Sequence, residues 1–225
     1  MQPTYLPWIG YFALMASVDK FVILDDVQFS RRSWQQRNRI KAGDSELMLT
    51  VPVANHGKRD QLLNEVLIDA PNVFSRKHLR SIQQCYAKAD CFDKYFAELG
   101  AILTSSFALL ADLNIEIISW IKNVFLINAD LICSSELSAC GVREDYLLSI
   151  CKEVGAVEYV SPPGSRGYLD PSIGKFEDAR VNVRYFDYVH PIYKQVGGGF
   201  LPFMSSIDLL FNEGDRAPSI LLESL

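Results

Sequence analysis

Hydrophobic positions near the start of the chain change from helical spacing to strand spacing. Apolar residues in Leu6–Ser17 recur as on one face of a helix, whereas Phe21–Leu24 is a short β-rich run that ends at Asp25 and Asp26. This pattern predicts a helix followed by a buried strand, one half of an α/β unit. Because another strand normally precedes the helix of such a unit, we expect Met1 to be internal to a longer sequence with a truncated first strand.

The rest of the chain continues this alternation around a helical segment. From about residue 72 to 125, apolar residues recur at three- and four-residue steps, as packed helices require. The other predicted elements are strands at Leu47–Val53, Val66–Ile68, Asp130–Cys133, Val157–Val160 and Val181–Phe186, and a helix at Val142–Val154. We therefore predict a single α/β domain over residues 1–225, with a mainly helical segment at about 72–125.

Three stretches of small and polar residues predict loops. His56–Asp60 is a polar loop between two predicted strands, and Ser161–Gly167 follows the end of another strand. Open parallel sheets bind ligands at such strand ends. Gly197–Gly199 is either a flexible loop or a plain turn before the last helix.

Composition narrows the class of protein. The chain has 225 residues, of which 49% are hydrophobic, so it can bury a large core. Its longest apolar region, Leu99–Ile127, is interrupted by charged and amide side chains, and no membrane helix is predicted. The first eight residues lack the pattern of a signal peptide, so we expect a cytoplasmic protein. Oligomerisation has no visible signature in the sequence.

The five cysteines do not form a metal or disulfide pattern. Their number is odd and no C-x-x-C pair occurs. Most of them stand in apolar surroundings, which is typical of buried thiols. We therefore predict neither disulfides nor a metal site.

A basic run interrupts an otherwise acidic chain. Five basic side chains and no acidic one lie between Arg31 and Lys41, around Trp34, although the net charge is -5. Such density beside an aromatic ring and several amides is typical of a surface that meets phosphate, a nucleotide or an RNA backbone. A solvated basic loop is the alternative interpretation.

The chain lacks the common nucleotide and hydrolase motifs, but its start has a familiar layout. Gln2–Tyr11 resembles, in position, the strand–loop–helix entry of nucleotidylyltransferases and class I synthetases, which implies a Rossmann-like parallel sheet with a helical insertion. Trp8 and Tyr11 replace the two histidines of the H-x-G-H motif in that superfamily. Those imidazoles stabilise the transition state at a nucleotide α-phosphate, so their loss makes adenylyl transfer improbable. A cleft of the same kind that serves a reaction other than adenylyl transfer fits the sequence better.

The whole chain resembles the WbqC-like family. The motifs that carry the likeness are Gln2-Pro3-x-Tyr5-x-Pro7-Trp8-x-Gly10-Tyr11-Phe12, Asp25-Asp26-Val27-Gln28, Arg32-x-Trp34-Gln35-x-Arg37-Asn38, Val51-Pro52-Val53, Pro191-x-Tyr193-x-Gln195 and Ser206-x-Asp208-Leu209-Leu210-Phe211-Asn212. That family looks like a set of bacterial proteins that are encoded among genes for O-antigen and other surface polysaccharides. The resemblance implies an aminoacyl transferase, with glycine as the expected amino acid, acting on a nucleotide-linked (dTDP) amino sugar.

The resemblance leaves the amino-acid donor open between aminoacyl-tRNA and an ATP-activated amino acid. The basic run and the missing ATP motifs favour aminoacyl-tRNA. On that interpretation no cofactor is needed, and ATP enters only if the amino acid is activated directly.

Asp25 and Asp26 are the first candidates for the base that takes a proton from the attacking amine. Consecutive side chains on a strand point oppositely, so we expect only one of them to line the cleft. A solvated turn is the alternative for this pair. His78, at a polar helix start, is a further candidate base or phosphate donor, although isolated helix histidines usually have structural roles.

Amide, aromatic and guanidinium side chains are candidates for substrate binding. They would position the carbonyl, the sugar hydroxyls, the diphosphate or RNA phosphate, and a stacked base. These residues are Gln2, Tyr5, Trp8, Tyr11, Gln28, Arg32, Trp34, Arg37, Asn38, Arg39, Tyr193 and Gln195. A protein that binds a nucleotide sugar or RNA without catalysis is the second hypothesis, and the two lost histidines are its main support.

Overall fold

The computed structural model describes residues 1–54 and 60–223. Its helices are α1 Ile9–Ala16, α2 Pro71–Tyr86, α3 Phe92–Thr104, α4 Leu110–Val124, α5 Glu144–Glu153, α6 Arg166–Leu169, α7 Ile173–Asp178, α8 Ser206–Glu213 and α9 Ala217–Leu222. Its strands are β1 Lys20–Ile23, β2 Arg37–Ala42, β3 Ser45–Thr50, β4 Asp130–Cys133, β5 Glu158–Ser161 and β6 Asn182–Tyr185. The mixed α/β class is thus confirmed. The predicted loop His56–Asp60 lies outside the described residues except for Asp60.

The strands pair in three separate ribbons. β1 pairs with β4 and β5 pairs with β6, both in parallel, whereas β2 and β3 form an antiparallel hairpin. Parallel pairing requires a crossover, and the segment between β1 and β4 supplies α2, α3 and α4. Because paired strands run in the same direction, β1 and β4 end side by side, and so do β5 and β6.

Two apolar clusters hold the elements together. The larger cluster joins α1 and β1 to the three long helices and to α8, with Phe12, Ile23, Ile117 and Leu210 all buried in it. A smaller cluster lies around β5 and β6 and contains Leu148, Cys151, Leu169, Phe176 and Val181. The buried faces of these helices and strands therefore pack against one another.

Most predicted elements are confirmed. The helix predicted at Leu6–Ser17 is α1, the helical segment contains α2 to α4, and the predicted helix at Val142–Val154 is α5. The strands predicted at Phe21–Leu24, Asp130–Cys133, Val157–Val160 and Val181–Phe186 correspond to β1, β4, β5 and β6. These elements form strongly periodic runs, which local pattern describes well.

The prediction of a strand at Val66–Ile68 was wrong. The segment makes isolated bridges only, from Leu67 to Leu109 and from Ile68 to Val53, so its backbone hydrogen bonds go to several loops. The strand predicted at Leu47–Val53 ends at Thr50, just before Pro52, which has no N–H to donate. Conversely, β2 was not predicted from the sequence. Its charged side chains obscure the alternation of polar and apolar positions that is typical of a strand, and its pairing with β3 is visible only in the fold.

The cysteines and helices also test the compositional expectations. The structure describes all five cysteines, and each is a free thiol; Cys151 is buried, Cys140 is exposed and the other three are intermediate. Buried thiols were expected for most of the five cysteines, and one of them, Cys151, is fully buried. Among helices of the described ranges, none combines the length and apolar character needed to cross a membrane.

Candidate functional site

Polar side chains meet where β1 and β4 end. Asp25 follows β1, and a 3₁₀ turn, Ser134–Glu136, follows β4. The Asp25 carboxylate accepts hydrogen bonds from Ser134 Oγ at 3.2 Å, Ser135 N at 3.0 Å and Ser135 Oγ at 2.6 Å. Asp25 is 6% exposed, so the solvated turn considered for it was wrong. Its carboxylate therefore joins the 3₁₀ turn after β4 to the end of β1.

Asp26 is the more accessible member of the pair. Its Oδ1 accepts a hydrogen bond from Ser134 Oγ at 2.5 Å, and its Oδ2 accepts one from the Tyr146 hydroxyl at 2.6 Å. Burial and the hydrogen bond to Asp26 raise the pKa of Tyr146 to about 12. The phenol is therefore protonated at neutral pH and donates to Asp26, whose own side chain is only half-buried.

A cleft of about 950 Å³ lies between the two parallel ribbons. One wall is formed by β1 residues such as Val22 and the other by β5 residues such as Tyr159. Gln2 and Tyr146 line its end near the carboxyl ends of the strands. Neither Asp25 nor Asp26 lines the cleft, so the expectation that one of them would do so was wrong. Asp26 is joined to the cleft by its hydrogen bond with Tyr146. The cleft is largely apolar along its length and polar at that end, as ligand sites commonly are.

The carboxyl end of β5 contributes to the same end of the cleft. The predicted turn after this strand is a 3₁₀ turn, Pro163–Ser165, followed by α6. Ser161 is buried, and its Oγ lies 2.8 Å from Ser165 Oγ, which in turn donates to the Pro162 carbonyl. Arg143, the residue before α5, also lines the cleft and supplies a cation there.

Sequence reasoning missed four side chains at this end of the cleft. They are Ser134, Ser135, Arg143 and Tyr146, and each stands more than a hundred residues from Asp26 along the chain. The available signal was weak, since it consisted of small polar residues directly after a strand and polar residues at a helix start.

His78 is not joined to the aspartates. It lies in α2, its Nδ1 is 2.8 Å from the Tyr5 hydroxyl, and its ring packs against Phe74. Burial lowers the pKa of His78 to about 4, so the imidazole is neutral at pH 7. None of its contacts links it to Asp25 or Asp26. The structure therefore gives His78 and Tyr5 the surroundings of core residues.

Trp8 and Tyr11 are both packed against other side chains. Trp8 meets Tyr188 and Phe203 edge to face, with ring centroids 5.0 and 5.5 Å apart, and its ring covers Gly10 so closely that any Cβ there would overlap it. The Trp8 ring therefore explains why position 10 is a glycine. Tyr11 is buried, and its hydroxyl has no hydrogen-bond partner among the described residues.

The basic run is divided into a structural part and an exposed part. Within β2, Arg39 forms an ion pair with Glu46 at 2.9 Å, and Lys41 is buried and donates to the Val196 carbonyl at 2.8 Å. Asn38, also buried, donates to the carbonyls of Tyr5 and Leu6. These bonds tie β2 to the core. Arg37 is half-buried in the same strand.

Arg31, Arg32 and Trp34 form the exposed part, which we call the arginine loop. Trp34 is 48% exposed, and the Arg39 guanidinium lies 5.7 Å from the centre of its ring. Arg32 has φ 58°, held by a hydrogen bond from its backbone N to Gln36 Oε1. This loop keeps the character expected of a phosphate- or base-binding surface.

Two remaining candidates lie in a separate polar group, the Asp208 cluster. The Asp208 carboxylate accepts hydrogen bonds from Tyr86, Tyr193 and Gln195, each at 2.8 Å. Asp208 is 0% exposed, and burial raises the pKa of its carboxyl group. Gln28, by contrast, is exposed and donates to Asp60 at 3.3 Å. The structure does not bring these residues to the Asp26 end of the cleft.

Comparison with known proteins gives a family likeness over almost the whole chain. The WbqC-like protein family matches residues 2–220. The uncharacterized protein Rv1507c of Mycobacterium tuberculosis (strain ATCC 25618 / H37Rv) is 36% identical over 223 residues, which is 98% of this chain and 95% of that protein. No solved structure matches the chain. The matched range includes every site residue described above.

Proposed function

The chain belongs to the WbqC-like protein family, and we propose that it is an aminoacyl transferase with a glycyl donor. The acceptor is the amino group of a nucleotide-linked amino sugar for a bacterial surface polysaccharide such as O-antigen. The observation that supports this proposal is the half-buried Asp26–Tyr146 pair at the joined ends of β1 and β4, at the polar end of a large cleft. The finer fold proposal is that both parallel ribbons belong to one Rossmann-like arrangement.

Asp26 is suited to accept the proton of the attacking amine. In aminoacyl transfer the sugar nitrogen forms a bond to the ester carbonyl carbon, the ester C–O bond breaks, and the freed ribose hydroxyl takes up a proton. A half-buried carboxylate that already accepts two short hydrogen bonds is held in one position, as a general base requires. In this mechanism Asp26 removes the amine proton and later returns it to the leaving oxygen.

Tyr146 is suited to orient Asp26, because its one O–H donates to the Asp26 carboxylate. Since the pKa of its phenol is raised to about 12, the phenol keeps this proton at neutral pH. Arg143 and Gln2 line the same end of the cleft and can contact the diphosphate and the sugar hydroxyls. Asp25, whose carboxylate is occupied by the β4 turn, has a positioning role.

The arginine loop supports aminoacyl-tRNA as the donor. Arg31 and Arg32 are exposed in an acidic protein, and Trp34 offers a face for a base. Because nucleotide sugars and charged tRNA occur in the cytoplasm, the proposed reaction places the protein there. An ATP-activated amino acid is the other donor that the chemistry allows.

Binding without catalysis is the second candidate function. The observation that favours it is the packing of Trp8 and Tyr11, two aromatic side chains at the positions that resemble the histidines of the H-x-G-H motif. A protein of this kind would hold the nucleotide sugar or RNA for another enzyme.

Mass spectrometry of a reconstituted reaction tests the proposal. The mixture contains dTDP-4-amino-4,6-dideoxyglucose, glycine, ATP, glycyl-tRNA synthetase and tRNA, with the protein or its variants Asp26→Asn and Asp93→Asn. We expect one glycyl unit on the sugar, dependent on the protein and on tRNA, lost in Asp26→Asn and kept in Asp93→Asn, which changes an exposed carboxylate in the first turn of α3.

The other outcomes are equally informative. An adduct that forms without tRNA identifies ATP as the source of activation. If the protein binds the nucleotide sugar but gives no adduct with any amino acid or amino sugar tested, the transferase proposal is wrong and the binding function takes its place.

A further inference from the structure

Phe203 is an exposed aromatic residue that is held in an unfavourable backbone conformation. Its φ is 62°, in the left-handed region that bulky side chains rarely adopt. Side chains bind both of its backbone polar groups: its N–H donates to His190 Nε2 at 3.0 Å, and its carbonyl accepts from Arg39 Nε at 3.2 Å. The fold therefore maintains this conformation while the Phe203 side chain is 44% exposed. Strain that is maintained in this way is common at binding sites.

His190 has the protonation state that this arrangement requires. Its Nδ1 lies 2.8 Å from the carbonyl of Pro191 and donates to it, so Nε2 has a free lone pair for the Phe203 N–H. Burial lowers the pKa of His190, which keeps the imidazole neutral at pH 7. The same imidazole packs edge to face against Phe203, with ring centroids 4.9 Å apart. His190 thus fixes both the backbone and the ring of Phe203.

Arg39 connects Phe203 to the arginine loop. Its guanidinium bonds the Phe203 carbonyl and also lies 5.7 Å from the centre of the Trp34 ring. Met48 stands directly opposite Arg39 in the hairpin of β2 and β3, so the two side chains share one face of that hairpin. Trp34, Met48 and Phe203 are all exposed. We call the group of Trp34, Arg39, Met48 and Phe203 the aromatic surface.

The charge beside the aromatic surface is positive, although the net charge of the chain is -5. Arg31 and Arg32 are exposed and precede Trp34 closely in the chain. Exposed rings next to guanidinium groups are typical of proteins that bind single-stranded nucleic acid, because bases stack on the rings and phosphates meet the cations. The aromatic surface and these two arginines therefore complement a single-stranded polyanion.

The arginine loop is joined directly to the polar end of the cleft. Gln35, the residue after Trp34, is buried and donates from Nε2 to Gln2 Oε1 at 3.0 Å. Gln2 lines that end of the cleft. The Trp34 carbonyl also accepts a hydrogen bond from Tyr5 N at 3.0 Å. A nucleic-acid strand that stacks on Trp34 can therefore continue to the cleft beside Gln2.

From this geometry we propose that the aromatic surface binds the unpaired 3′ end of the aminoacyl-tRNA donor. Bases of that end stack on Trp34 and Phe203, Arg31 and Arg32 contact its phosphates, and the aminoacyl ester enters the cleft beside Gln2. The inference rests on the proposed function, from which the donor is taken. Arg39 and His190 are positioning residues, because they bond Phe203.

Fluorescence anisotropy with labelled, uncharged glycine-accepting tRNA tests this surface. The full chain is titrated into intact tRNA and into the same tRNA from which the unpaired 3′ end has been removed. We expect the intact tRNA to bind about tenfold or more tightly than the trimmed one, since removal of that end removes the stacked bases.

Variants of Phe203 locate the effect. Phe203→Leu keeps an apolar side chain but has no ring face, so it should weaken binding of the intact tRNA by about fivefold or more and leave the trimmed tRNA unaffected. Phe203→Tyr keeps the ring and should bind as the wild type does. Leu126→Ala is the matched control, because Leu126 is also exposed and has φ 55°. Its affinity for both tRNAs should be unchanged.

Equal affinity of the wild type for the two tRNAs would overturn the proposal. Equal weakening of both tRNAs by Phe203→Leu would also overturn it, since the variant would then have changed the fold rather than the stacking. The assay requires no turnover. Binding as expected without any glycyl sugar would refute only the proposed function, whereas tRNA-dependent glycyl transfer with wild-type affinity in Phe203→Leu would refute only this surface.

Discussion

Asp26 and Asp208 carry the same chemistry in opposite surroundings. Each carboxylate accepts hydrogen bonds from a tyrosine, Asp26 from Tyr146 and Asp208 from Tyr86 and Tyr193. Asp208 is completely buried, whereas Asp26 is half-buried and bonded to Tyr146, which lines the cleft. The comparison shows that solvent access, rather than the identity of the groups, separates a structural carboxylate from one that can meet a substrate.

The Asp208 cluster joins the end of α2 to α8 and to the segment just before it. Asp208 lies in α8, Tyr86 ends α2, and Gln195 comes from the segment before α8. The Gln195 side chain also accepts a bond from Leu201 N, and Tyr86 packs against Phe211. Two motifs of the family resemblance, around Tyr193 and Asp208, are therefore explained by the fold.

Asp208→Ala should have the largest effect on stability. Removing the carboxylate leaves the two buried hydroxyls of Tyr86 and Tyr193 without their acceptor, which should lower the free energy of unfolding by about 3–5 kcal/mol. Urea denaturation measures this loss. Turnover per folded molecule should be unchanged, and a loss of turnover with unchanged stability would move the active site to the Asp208 cluster.

His78 extends the comparison to a buried base, with a pH-dependent effect on stability. Its folded pKa of about 4 lies below the ordinary value of 6.5, so the folded state binds fewer protons than the unfolded state between these values. The stability contributed by the neutral imidazole is complete above pH 6.5 and falls as the pH is lowered towards 4. The loss should reach about 3 kcal/mol.

Urea midpoints at pH 7 and pH 4 for the wild type and His78→Gln measure this contribution. Glutamine does not titrate, so the wild type should lose more stability than the variant over this range. Equal losses in the two proteins would show that His78 is protonated in the folded state and is accessible to solvent.

Asp26→Asn should affect turnover far more than folding. The amide keeps the size of the side chain but cannot take a proton, so kcat should fall by about 100-fold or more. The free energy of unfolding should change by about 1 kcal/mol or less, because the side chain is only half-buried. Steady-state kinetics with urea denaturation checks both values, with Asp93→Asn as the control. A stability loss as large as that of Asp208→Ala would erase the distinction between the two carboxylates.

The double variant Arg31→Ala, Arg32→Ala should give the smallest effect. Each exposed arginine that contacts an RNA phosphate contributes mainly through counterion release, so the slope of log binding constant against log salt should fall by about 1–2. Fluorescence titration with tRNA at several salt concentrations measures the slope. Arg80→Ala, which changes an exposed arginine of α2, is the matched control. An unchanged slope in the double variant would remove the arginine loop from the donor site.

Local pattern predicted the elements and one half of the candidate site. The run Phe21–Leu24 followed by two aspartates indicated a strand end with carboxylates, and that is where Asp25 and Asp26 lie. The same reasoning placed a turn after β5 at a strand end. It could not supply Tyr146 or Ser134, because a parallel pairing between segments so distant along the chain leaves no local trace.

Local pattern could not supply the partners of residues whose surroundings depend on burial. The basic run was a plausible anion site in the sequence, yet β2 carries Arg39 and Lys41 into bonds with Glu46 and the Val196 carbonyl. Tyr193 and Gln195 were candidates for substrate binding, and the fold places them around a buried carboxylate. Charge and hydrogen-bonding capacity are visible in a sequence, whereas their partners are not.

The sequence by itself determined the alternation of strands and helices, since hydrophobic periodicity is a property of neighbouring residues. It also determined which carboxylate and guanidinium side chains are present. Only the tertiary structure decided that Asp26 meets Tyr146 at a cleft while Asp208 is enclosed, because burial depends on segments brought together from far along the chain. The parallel pairing of β1 with β4 and of β5 with β6 likewise exists only in the folded chain, because it joins backbone groups that every residue carries.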